Sequence, residues 1–110
     1  MNIDGFIQNI TQKLSMAPQI GAVIMFEIKD IGYISIDGTT HPAVIRGYSL
    51  DQDHSDIPEQ AVETTISLTD QTLSAILAGT QDPTLAFMTG KLKVSGSMGY
   101  AMKINAILED

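Results

Sequence analysis

The sequence predicts an α+β fold in one domain, and three observations lead there. Apolar residues recur at helical spacing near both ends of the 110-residue chain. Between those ends, five stretches alternate apolar and polar residues at period two, as half-buried strands do. Finally, residues 82–105, DPTLAFMTGKLKVSGSMGYAMKIN, place a helix, a strand and a second helix in succession with almost no spacer. The upstream elements are expected to pack on this stretch. A chain of this length suits a single core and leaves no room for a second domain.

Taken in order, Ile3, Phe6, Ile7, Ile10 and Leu14 fall on one face of an amphipathic helix running to about Met16, with Asp4 near its positive end. Pro18 and Gly21 end it. Residues 23–29 read as an apolar strand with Ile24, Phe26 and Ile28 on one face. A tight connection at residues 30–32 leads to a second strand at 33–37, where Ile34 and Ile36 alternate with Tyr33, Ser35 and Asp37, so the two form a hairpin. Asp37-Gly38-Thr39 is a turn signal, and residues 43–48 are a third, less regular strand completing a meander. Residues 49–63 are polar and acidic and form the longest loop. Residues 64–68 make a fourth strand with Ile66 and Leu68 inward. Thr69 or Asp70 then caps a helix that buries Leu73, Ile76 and Leu77 and closes at Gly79.

In the stretch that organises the chain, Asp82 is expected to accept from the free amides of the first helical turn, and Pro83 has no amide to leave unpaired there. Gly90 ends that helix in a left-handed conformation. The period then switches: Leu92 and Val94 face inward while Lys91, Lys93 and Ser95 face outward. Gly96 turns the chain and Ser97 caps the last helix. Met98, Ala101, Met102, Asn105 and Leu108 recur along that helix and are expected to bring its apolar side back to the sheet.

Composition narrows the function. Trp is absent, aromatics are 5% of residues, and the interior is expected to be filled by Ile, Leu, Val, Ala and six Met, which makes it adaptable. Without cysteine there is no disulfide framework and no thiolate ligand or nucleophile. A formal net charge of −7 repels nucleic acid and anionic bilayers. Neither a signal peptide nor a membrane-spanning segment is expected, but rather a cytoplasmic location without stable membrane insertion. Lys91, Lys93 and Lys103 are three of the six basic residues. They offer a patch for a lipid head group or an acyl-CoA phosphate, although strand alternation alone accounts for two of them.

Catalytic and metal chemistry find little support. The loop motif DQDHSD holds three carboxylates and an imidazole, but Asp56 stands where a calcium loop needs its turn glycine and Val62 where it needs the bidentate glutamate. No metal is expected. His41 and His54 are the only imidazoles, and neither sits in a triad-like motif. Ser97 would need glycine at Ser95 to be a nucleophile elbow, and Gly90-Lys91 lacks the remainder of a phosphate loop. The chain therefore reads as a non-enzyme with no cofactor.

The residues FMTGKLKVSGSMGYAMKI, 87–104, resemble the signature of the sterol carrier protein 2 (SCP-2) domain family. That resemblance implies a five-stranded sheet covered by helices, with an apolar cavity between them for a fatty acid, acyl-CoA, phospholipid or sterol. The lining it implies is Phe26, Ile34, Leu77, Phe87, Met88, Met98, Met102 and Asn105. Thr89 and Asn105 replace the glutamines of eukaryotic members, and the chain ends Leu108-Glu109-Asp110 rather than in the peroxisomal tripeptide many of them carry. The expected activity is burial of an acyl or isoprenoid chain. Alternatives are an accessory module that presents a hydrophobic substrate such as a quinone precursor to partner enzymes, and a structural or homodimer-forming domain whose cavity is filled.

Overall fold

A computed structural model describes residues 2–49 and 62–109. The order is α1 (Ile3–Ser15), β1 (Val23–Lys29), β2 (Gly32–Asp37), β3 (Val44–Ser49), β4 (Thr64–Thr69), α2 (Asp70–Leu77), α3 (Pro83–Met88), β5 (Leu92–Gly96) and α4 (Met98–Leu108). This is the mixed α+β architecture expected, and nearly every boundary falls within a residue of its predicted place. The DQDHSD motif, and with it most of the acidic loop, lies outside the described residues.

Each helix starts where a side chain can satisfy its free amides. Asn2, Thr69, Asp82 and Ser97 accept from Gly5, Thr72, Thr84 and Tyr100 respectively. Asn2 is the cap that periodicity did not find. Gly79 and Gly90 follow α2 and α3 with φ of 79° each, the left-handed conformation that glycine adopts without steric cost.

The strands form one sheet in the order β3-β2-β1-β4-β5. The meander is antiparallel as predicted, and β5 lies antiparallel to β4. Between them, β1 and β4 run parallel, with Ile24 beside Thr64, Phe26 beside Ile66 and Ile28 beside Leu68. Glu63 fixes the start of this pairing: its amide donates to the Val23 carbonyl at 3.0 Å, and its carboxylate accepts from the Val23 amide at 2.6 Å.

Register assigns the two faces. Ile24, Phe26, Ile28, Ile34, Ile36, Ile66, Leu68 and Leu92 fall on one side and are all buried. Onto that side pack Phe6, Ile10 and Leu14 of α1, Leu73, Ile76 and Leu77 of α2, Ala86 of α3, and Ala101, Ile104 and Leu108 of α4. Burying each large side chain contributes about 1.5–3 kcal/mol before chain entropy is counted. The opposite side carries Glu27, Tyr33, Arg46, Ser67 and Lys93. Lys91 and Lys93 are exposed, as the alternation required.

One compositional expectation fails. Isoleucine, not methionine, dominates the interior, and among the described residues Met25 is the only buried methionine, on the outer side of the sheet. β-Branched side chains are stiff at χ1, so the sheet side of this core is a firm wall. Whatever adaptability the interior has comes from the helices.

Candidate functional site

Of the residues expected to line a cavity, Phe26 and Ile34 lie side by side on β1 and β2 at the centre of the sheet, both fully buried. Leu77, at the end of α2, is 3% exposed. Met102 is half-buried and packs against the same cluster.

Phe87, Met88 and Met98 are not in the core: they are 37%, 73% and 42% exposed. The reason is the shortness of α3. Its six residues present Pro83 and Ala86 inward, which turns Leu85 and Met88 to the opposite side and leaves Phe87 on a flank. Met98 stands at the first position of α4, where the chain has just left β5. These residues and Leu85, which is 54% exposed and was not singled out from the sequence, are exposed apolar side chains on two adjoining helices.

The flank of α4 runs inward from Met98. Met98, Met102 and Asn105 are spaced i, i+4, i+7 and so lie on one line along the helix, about 10 Å from first to last. Burial deepens down the line, from the exposed Met98 through half-buried Met102 to Asn105, which is 1% exposed. Among the described residues, neither Oδ1 nor Nδ2 of Asn105 has a hydrogen-bond partner. An unsatisfied buried polar group costs about 1–3 kcal/mol. The other buried polar side chains differ. Thr64 donates to the Ser95 carbonyl at 3.2 Å, and Ser35 is on the outer side of the sheet. Spacing alone placed Asn105 inside, but its lack of partners depends on neighbours from other elements. The Thr89 hydroxyl, by contrast, is exposed and spends itself on the Leu85 carbonyl at 2.8 Å, so it contributes no polar group to the interior.

Two surface grooves of about 590 Å³ each lie elsewhere. One runs over the outer side of the sheet, lined by the charged Glu27, Lys29, Asp30, Lys91 and Lys93 together with Ile28, Tyr33 and Leu68. The second lies between the start of α1 and β3, lined by Ile3, Ile7 and Ile31 together with Asn2, Asp4 and Ser49. Neither is lined by Met102 or Asn105. No group of three or more potential metal ligands occurs among the described residues, and no described helix is long and apolar enough to cross a membrane.

The profile described as the SCP-2 sterol transfer family matches residues 4–109. Sterol carrier protein 2 of Gallus gallus is 35% identical over 112 residues, a match covering 93% of this chain and 20% of that protein. The chain thus spans about a fifth of the length of that relative. Among solved structures, sterol carrier protein-2 of Aedes aegypti in complex with the C16 fatty acid palmitate superposes with a TM-score of 0.67 at 20% identity, over 96% of this chain and 92% of that one. The structure described as UbiJ-SCP2, a ubiquinone synthesis protein, gives 0.66 at 16% identity, over 96% and 86%.

Proposed function

The chain belongs to the SCP-2 sterol transfer family, and from that membership we propose that it binds and carries a single-chain lipid, without chemical transformation, between the sheet and α4. The observation that carries the reading is the flank of α4. The exposed Met98 leads through the half-buried Met102 to the buried carboxamide of Asn105, which has no hydrogen-bond partner among the described residues. Methionine has three rotatable bonds and no branch, so Met98 and Met102 can move aside at low cost while the isoleucine wall behind them stays in place. Each methylene taken from water contributes about 0.8 kcal/mol, so ten of them supply about 8 kcal/mol before ordering costs are counted. The palmitate complex of the Aedes protein, on the same fold, supports this reading.

Mass spectrometry of an organic extract of the purified chain, together with titration by a fluorescent long-chain fatty acid, tests it. A co-purifying lipid or saturable binding is expected. A chain that yields no lipid and binds none would leave the collapsed structural domain. A second reading has its own support in the likeness to a ubiquinone synthesis protein: the domain would present its lipid to partner enzymes in the cytoplasm. Partner enzymes recovered in lipid-dependent complexes would favour it.

A further inference from the structure

The orientation and chemistry of the bound lipid follow from where polar groups are placed. At the outer end of the α4 flank stands Met98, and the adjoining α3 carries Leu85, Phe87 and Met88; all four are exposed and apolar. At its inner end is the unpartnered carboxamide of Asn105. An amphiphile entering with its polar end outward would leave that end on an apolar rim and Asn105 facing hydrocarbon. We infer that the lipid lies the other way round, polar end inward against Asn105, and that this end is electrically neutral: a protonated carboxylic acid, a primary amide or an alcohol. The inference rests on the lipid-carrier reading above.

A carboxamide presents one acceptor and one donor side by side. A carboxylic acid in its protonated form is its complement, with O–H donating to Oδ1 and C=O accepting from Nδ2; a primary amide matches in the same way, and an alcohol satisfies either atom. A carboxylate cannot donate to Oδ1.

The surroundings also disfavour an anion. No acidic or basic side chain is buried among the described residues. The charged groups of the elements that pack on α4 are engaged or directed elsewhere. Asp4, in the first turn of α1, borders the groove beside β3, while Lys13 of the same helix donates to the Leu77 carbonyl at 2.9 Å; Asp82, ahead of α3, accepts from Thr84, and Tyr100 is half-buried in the first turn of α4, five residues before Asn105. Asp70 begins α2, and Lys93 of β5 lies on the outer side of the sheet. On α4 itself, Lys103 donates to the Ile20 carbonyl at 3.1 Å, and Glu109 is beyond the last turn. A carboxyl group brought into such a medium is desolvated with no cation to compensate, so its pKa rises.

The test uses the complete delipidated chain and four sixteen-carbon probes: hexadecanoic acid labelled with ¹³C at the carboxyl, hexadecanamide, hexadecanol and hexadecane. In the unsubstituted chain the bound carboxyl resonance is expected to hold its protonated position up to about pH 8, a readout that requires no variant to fold. Replacing Asn105→Leu is expected to weaken the acid, amide and alcohol about tenfold while leaving hexadecane unchanged. Two results overturn the inference alone: a bound carboxyl that titrates as an exposed one does, or an Asn105→Leu chain that binds all four probes as before. If the unsubstituted chain binds none of the four, including hexadecane, the carrier reading falls and the inference falls with it.

Discussion

The ammonium of Lys103, midway along α4, donates to the backbone carbonyl of Ile20 at 3.1 Å and reaches that of Gln19 at 3.4 Å, tying the last helix to the segment that follows α1. The contact spans most of the chain and holds α4 over the core. Lys103→Met keeps the length of the side chain and removes both donations. Since the residue is largely exposed, a loss of about 1 kcal/mol is expected in urea unfolding. An unchanged midpoint would show that α4 is held by its apolar contacts alone.

Gly96 and Gly99, three residues apart, should respond in opposite directions to alanine. At Gly96, φ is +99° and an added Cβ would stand 2.3 Å from the Glu63 carbonyl oxygen, a backbone atom that cannot swing away. Gly96→Ala is expected to cost more than about 2 kcal/mol. At Gly99, in the first turn of α4, the only neighbour is the Ser97 hydroxyl at 3.8 Å. Gly99→Ala should gain about 0.5 kcal/mol by restricting the unfolded chain and favouring the helix. Thermal unfolding of the two variants side by side reads both signs.

What was legible in the sequence is explained by the same distinction between local and distant causes. Caps such as Asp82 and Ser97, the left-handed Gly90 and the phase of Leu92 and Val94 are set within a few residues, and each stands where periodicity placed it. The parallel pairing of β1 with β4 was not legible, because it joins strands more than thirty residues apart and depends on the other end of Glu63 meeting Val23. Hydrophobicity also misplaced Met88 and Met98. A scale ranks methionine as an interior residue, but a six-residue helix has only two inward positions, and Pro83 and Ala86 fill them. Asn105 was placed correctly by spacing. That it is without a partner could be learned only from the folded chain.

Asp37 gives stability a dependence on acid. The Thr39 hydroxyl, and after it the Thr39 amide, bond the carboxylate in the turn after β2 and hold its pKa below the ordinary aspartate value. A depressed folded pKa means that the contribution is complete above the unfolded value and is lost as pH falls through the folded one. The side chain is half-buried at a surface turn where water still screens it, so the effect is small. Asp37→Asn should flatten the change in unfolding midpoint below about pH 4 and alter little at neutral pH. An equal slope in both chains would remove the role given to this turn.

Met102→Trp separates an interior that admits a chain from one already filled. Met102 is half-buried, packs on the core and stands between the exposed Met98 and the buried Asn105. Were the interior tightly filled, an indole there would force neighbours off their rotamers and cost about 1–3 kcal/mol. If instead the methionine side chains cover a space that a lipid can take, the indole occupies the same space. Stability should then change by less than about 1 kcal/mol while fatty-acid affinity falls at least tenfold. Solvent on one side of Met102 gives the ring room to lean outward, so a modest stability change alone decides nothing and the two measurements must be made on the same preparation. A variant that stays folded and binds fatty acid as tightly as the original would move the lipid away from the α4 flank, toward the groove between Ile3, Ile7 and Ile31.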